Sequence, residues 1–144
     1  MIEKDTIELL KECNAGIKMG VSSISEILPD VQNAVLRQKL TVCKNEHEKL
    51  GNETQELLNK YQDSGKEPNM FAKGMSWIKT NTKMMMSPTD KTISDLIIDG
   101  CNMGVKSLNR YLNEYGAAEE KAKDITKKLI NLEESLAVDI REYL

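Results

Sequence analysis

The chain has 144 residues, 40% of them apolar and 30% charged, with eight glycines and three prolines, which fits one helical domain and excludes collagen-like, low-complexity and wholly disordered chains. One Trp, one Phe and four Tyr are few for a strand-rich core. A net charge of −3 and a pI near 5.3 leave no electrostatic footprint for nucleic acid.

In chain order, Asp5 or Thr6 can cap a first helix that carries Ile7, Leu10, Asn14, Ile17, Val21, Ile24 and Leu28 at alternating spacings of three and four. After Leu28-Pro29-Asp30 a second helix is predicted to about Gln62, with Leu36, Leu40, Cys43, His47, Leu50, Thr54, Leu57 and Tyr61 on its seam. Residues 63–68 form a polar loop, after which Asn69 can cap a shorter helix over about 69–86. Ser87-Pro88-Thr89-Asp90 is a second start signal, with a capping hydroxyl, proline at the first helical position and a carboxylate. It opens a helix with Ile98, Cys101, Val105, Leu108, Leu112 and Tyr115 on one face. Gly116 is a stop, and Ala118, Ala122, Ile125, Leu129, Leu132, Leu136 and Tyr143 define the last helix.

This pattern predicts an all-α single domain over 1–144: a hairpin over 5–62, a crossover helix over about 69–86, and a hairpin over 88–143. Very short turns make each hairpin antiparallel. The crossover, at 1.5 Å per residue, can run most of the bundle's length and so leave the second and third long helices parallel.

Cys13-Asn14-Ala15-Gly16-Ile17-Lys18 recurs as Cys101-Asn102-Met103-Gly104-Val105-Lys106. More loosely, Asn45-Glu46-His47-Glu48-Lys49-Leu50 aligns with Asn131-Leu132-Glu133-Glu134-Ser135-Leu136. A helix hairpin used twice and joined by a long crossover resembles the ferritin-like four-helix bundle. The chain is similar over its length to short uncharacterised bacterial ferritin-like proteins that carry Cys-Asn-x-Gly-Ile/Val-Lys in both hairpins and Glu-His-Glu-Lys-Leu-Gly, here 46–51, in the first. The di-iron members of that class need Glu from each of two helices and Glu-x-x-His from each of the other two. Here Lys44 stands three residues before His47 and the last helix has no histidine, so the di-iron set does not carry over.

His47 is the only histidine, and an imidazole on a buried seam needs a partner. One reading is a core residue bonded to Asn14, Asn102 or a glutamate. The other is a metal ligand, with zinc or iron held either by His47, Cys43, Cys13 and Cys101, which loop counting sets near one level, or by His47 with Glu12, Glu46, Glu48, Asp99 or Glu133. Three buried thiols also suit an ordinary helical core.

Gly16-x-x-x-Gly20 and Gly100-x-x-x-Gly104 each put two glycines on one helix face, although a mid-helix Gly costs about 1 kcal/mol against Ala. Close approach of two backbones would offset that; space for a ligand between helices is the alternative. The 69–86 helix combines Met70, Phe71, Met75, Trp77, Ile78, Met84 and Met85 with Lys73, Lys79 and Lys83, an amphipathic pattern that fits bundle packing, a second subunit, a protein groove or a membrane surface.

No run is long enough to span a membrane, and Met1-Ile2-Glu3-Lys4 has no apolar signal character, so a cytoplasmic location is expected. No nucleophile-base pair, phosphate loop or dinucleotide fingerprint occurs. The sequence therefore predicts a non-catalytic interaction or structural bundle that self-associates as a homodimer. The alternative is a metal-binding or redox bundle built on His47.

Overall fold

A computed structural model describes residues 2–61, 63, 84 and 87–144. These form four long helices, α1 (Ile2–Ile27), α2 (Ala34–Lys60), α3 (Asp90–Glu114) and α4 (Glu120–Asp139), with short 3-10 turns at Leu28–Asp30 and Arg141–Tyr143. No strand occurs among the described residues, and no described helix is long and apolar enough to cross a membrane. The 69–86 helix lies outside the described residues except for Met84, which is buried in the core.

The helix starts differ from expectation. Asp5 and Thr6 sit inside α1 rather than capping it, because their side chains serve the turn of the other hairpin: Asp5 accepts from the Ala117 amide at 3.0 Å and Thr6 Oγ1 from the Glu119 amide at 2.8 Å. The third long helix begins two residues later than Pro88 suggests. Thr89 is its N-cap and accepts from the Thr92 amide, while the Asp90 carboxylate accepts from the Gln32 and Asn33 amides at 2.8 and 2.9 Å. Asn33 in turn caps α2 by accepting from the Val35 and Leu36 amides.

These contacts fix the directions. The first hairpin's turn lies beside the start of α3, and the second hairpin's turn lies beside the start of α1. Hence α1 and α3 are antiparallel, α2 and α3 run parallel, and the connection between them returns the chain from one end of the bundle to the other.

The α2 seam is buried as the spacing predicts, from Leu36 through Leu40, Cys43, His47, Leu50 and Thr54, and ends on Leu58 rather than Leu57. On α3 the burial shifts toward Ile93, Leu96, Ile97, Cys101 and Leu108, leaving Ile98 and Val105 half-buried. The buried apolar residues fall into two clusters. One, containing Ile24, Leu36, Leu40, Cys43, Ile93, Cys101 and Ile140, lies at the end with the first turn. The other, containing Leu9, Cys13, Ile17, Leu58, Leu108, Ala122 and Leu129, lies at the opposite end.

Candidate functional site

Between the two clusters α1 and α3 do not close on each other. A half-open cavity of about 540 Å³ separates them. Its α1 wall is Glu12, Ala15, Gly16, Met19, Gly20 and Ser23, a strip of short side chains with one Met and one Glu; its α3 wall includes Gly100, Cys101, Met103, Gly104, Ser107 and Tyr111. His47 of α2 and Glu133 of α4 line it as well, and Ile24, Ile97, Leu108, Leu129 and Leu136 complete an apolar interior.

Gly20 and Gly104 are the residues that admit the two polar groups. A Cβ at Gly20 would lie 2.9 Å from both Cδ2 and Nε2 of the His47 ring. A Cβ at Gly104 would come within 2.8 Å of Glu133 Oε1 and would overlap Oε2. At these two positions the glycine makes way for a side-chain head from the neighbouring helix, not for a backbone.

His47 is 2% exposed. Its Nδ1 lies 2.8 Å from the carbonyl oxygen of Cys43, one turn earlier on its own helix, and 3.5 Å from the Cys43 thiol. A carbonyl can only accept, so Nδ1 carries the hydrogen. Burial holds the imidazole below its ordinary pKa, so near neutral pH the ring is uncharged and Nε2 presents a bare lone pair. That atom is buried and has no hydrogen-bond partner. The expected partners are otherwise placed: Asn14 donates to Gln55 at 3.4 Å, and Asn102 is exposed. The carbonyl of the preceding turn wins because it is already within reach.

Glu133 repeats the situation with a carboxyl. Its Oε2 is buried without a partner, and burial pushes the group up to about 8 from its ordinary 4.5. At neutral pH it is largely a neutral acid.

The remaining predicted residues disperse. Cys13 does not share a level with Cys43 and His47; it belongs to the other cluster, where its thiol lies 3.1 Å from the Thr126 hydroxyl of α4. Cys43 and Cys101 lie in the first cluster, and Cys101 reaches the cavity wall. Burial raises all three thiols, Cys13 and Cys43 to about 12, so none is a thiolate at neutral pH. Glu12 lines the cavity. Glu46 pairs with Lys49, Glu48 with Lys44, and Asp99 is exposed.

Among the described residues no three His, Cys, Asp or Glu side chains gather as a metal ion requires. The residues present do not fit the di-iron set. Ala15, Met19, Ser23, Ser107 and Tyr111 line the cavity without having been singled out from the sequence, although four-residue spacing from Ala15 through Met19 to Ser23 was the available signal. Set against known family models, curated proteins and solved structures, the chain matches none.

Proposed function

We propose that the protein is a non-catalytic helical bundle that binds one small, largely apolar molecule in the cavity between α1 and α3. The observation that carries this reading is His47, a residue of the cavity wall that is 2% exposed and whose bare Nε2 is buried without a partner. An orphaned buried acceptor costs about 1–3 kcal/mol, and the mid-helix glycines that admit it and Glu133 cost about 1 kcal/mol each against Ala. A ligand that hydrogen-bonds to Nε2 would offset those costs. The volume of about 540 Å³ falls within the range of about 300–1,000 Å³ usual for small-molecule sites.

The bare lone pair is equally what a metal ion would take, and zinc or iron on His47 with Glu133 is the second reading. Those two residues supply half a tetrahedral shell, so this reading needs donors from water or a bound molecule. Metal analysis of protein purified without added metal tests it: stoichiometric metal, lost in His47→Ala, would replace the first reading.

The parallel run of α2 and α3 supports a place for the bundle in the ferritin-like class. Homodimerisation through the 70–86 helix, which apart from Met84 lies outside the described residues, or through the glycine faces is tested by light scattering against the 16.3 kDa chain mass.

The cavity reading is tested with N-phenyl-1-naphthylamine, an apolar dye uncharged at pH 7. We expect saturable fluorescence enhancement with one site per chain. Gly16→Leu should abolish it with the helical circular dichroism intact. A Cβ at Gly16 meets only Leu129 Cδ2, at 4.0 Å, so the backbone has room while the larger side chain enters the cavity. Failure of the dye to saturate, or binding unchanged in the folded Gly16→Leu variant, would overturn the reading.

A further inference from the structure

We propose that the cavity selects a protonated amine with an apolar body, held by donation from its ammonium group to His47 Nε2 and to the carboxyl of Glu133. The proposal rests on the reading of the cavity as a binding site and adds the charge and head group of the occupant.

The donor-acceptor inventory of the wall argues for it. Nε2 can only accept, because Nδ1 already carries the ring hydrogen for the Cys43 carbonyl. The orphaned Oε2 of Glu133 accepts once the acid ionises. The second carboxyl in the wall belongs to Glu12, and no Lys or Arg lines the cavity among the described residues. The hydroxyls of Ser23, Ser107 and Tyr111 can serve any polar head, but a carboxylate or phosphate would meet no positive group among the described residues, only two carboxyls and a lone pair. A neutral hydroxyl can bond to the wall but gains nothing from its sign of charge. An ammonium has three donors and no acceptor, the complement of this wall, and its bonds to a carboxylate are of the stronger, charge-assisted kind.

The empty and filled states differ by a proton. Glu133 is faced by Glu12 and Cys13 from α1, by Cys43 and His47 from α2, and by Cys101 from α3. The thiols and the imidazole are uncharged at neutral pH. With no cation beside it among the described residues, burial keeps Glu133 protonated, at about 8. When the ammonium enters, the carboxyl O–H bond breaks heterolytically. The electron pair stays on the carboxylate, which pairs with the ammonium, and the proton passes to buffer. Binding at pH 7 is thus an exchange of one proton for one ammonium, with no net change of charge in the cavity.

The test uses the full chain and three ligands of equal chain length, octylamine, 1-octanol and octanoate, each displacing the neutral dye. At pH 7 octylamine should displace at a concentration lower than 1-octanol by about tenfold or more, the ratio expected of a hydrogen bond between charged partners, with octanoate weakest. Calorimetry in two buffers of different ionisation heat should read release of about one proton per amine bound. Affinity for the amine should climb as the pH rises toward 8 and level off above it. Glu133→Gln should remove the proton release and close the gap between amine and alcohol while the dye still binds. Alcohol or octanoate equal to the amine, or amine binding without proton release, would overturn the proposal. The proton count is read on the unsubstituted chain, so the test stands if Glu133→Gln fails to fold. Dye binding without amine preference removes this proposal alone; no saturable dye binding removes the cavity reading with it.

Discussion

In the first hairpin a glycine of α1 makes room for an imidazole of α2; in the second, a glycine of α3 makes room for a carboxyl of α4. The steric device is the same at Gly20 and Gly104, and both admitted groups end at a buried orphan atom on one cavity. The chemistry is opposite. His47 is a base held neutral by burial, tied through Nδ1 to its own helix, and presents one fixed lone pair. Glu133 is an acid held neutral by burial, at the end of a flexible side chain. The two hairpins thus place a rigid acceptor and an adjustable acid on one cavity.

The two groups pull stability in opposite directions with pH, which gives the largest expected effect. The folded pKa of Glu133 lies above its ordinary 4.5, so its contribution is fully present below about 4.5 and is lost as the pH rises through about 8. The folded pKa of His47 lies below its ordinary 6.5, so its contribution is present above 6.5 and is lost as the pH falls below that value. Replacing Glu133 by Gln keeps the shape and removes the first dependence. Relative to the unsubstituted chain, Glu133→Gln should gain on the order of 3 kcal/mol between pH 5 and pH 8, read from urea midpoints. A difference that stays flat across that window would show that the carboxyl is solvated and that the two hairpins are not alike.

The same comparison predicts unequal responses to an added methyl group. Gly→Ala inside a helix contributes about 1 kcal/mol of stability through propensity alone. At Gly20 the new Cβ meets a flat ring anchored to the Cys43 carbonyl, so relief requires breaking that bond or shifting a helix. At Gly104 it meets a carboxyl that can swing toward solvent. Gly20→Ala should therefore destabilise by about 1–3 kcal/mol, and Gly104→Ala should be neutral or slightly stabilising. The swung carboxyl should also recover an ordinary titration, visible as loss of the alkaline slope described above. Equal thermal shifts for the two variants would contradict the stated difference between anchored ring and free carboxyl.

Much of this arrangement was legible from residue spacing. The four apolar seams, the antiparallel hairpins and the shared direction of α2 and α3 follow from three-and-four periodicity and from turn lengths. His47 stands out as a polar member of a buried seam, and Gly16, Gly20, Gly100 and Gly104 as costly mid-helix glycines that call for close backbone approach or space for a ligand. The alignment of 45–50 with 131–136 even sets His47 opposite Glu133. Three things were not legible. Counting from a turn does not fix the register of two packed helices: Gly20, not Cys13, is the α1 residue that faces His47, and Cys13 lies beside the Thr126 hydroxyl in the other cluster. Asp5 and Thr6 have the composition of a cap, but their partners are amides more than 110 positions away. The cavity is an absence of side chains between α1 and α3, and no single position encodes it.

The smallest effect concerns the turns, where the hairpins differ again. Each turn is held by the first residues of the opposite hairpin, but with unequal strength. Asp90 spans two backbone amides at the start of α2 with both carboxylate oxygens, beside a side-chain cap from Asn33. Asp5 takes a single amide, that of Ala117, and Glu119 offers no side-chain cap of its own to α4. Thr6 takes the neighbouring Glu119 amide and is itself tied to the Ile2 carbonyl, so it shares the load with Asp5. Asp90→Ala leaves two turn amides to water at once and should cost about 1 kcal/mol, within the range of lost helix caps. Asp5→Ala leaves one exposed amide that water can reach and should cost about 0.5 kcal/mol. Amide hydrogen exchange separates the two without relying on global stability: Gln32 and Asn33 should lose protection in the first variant, Ala117 in the second, each with the opposite turn unchanged. Loss of protection at both turns in either variant would mean that the two ends of the bundle open together, and that the hairpins are one cooperative unit rather than two similar ones pinned to each other.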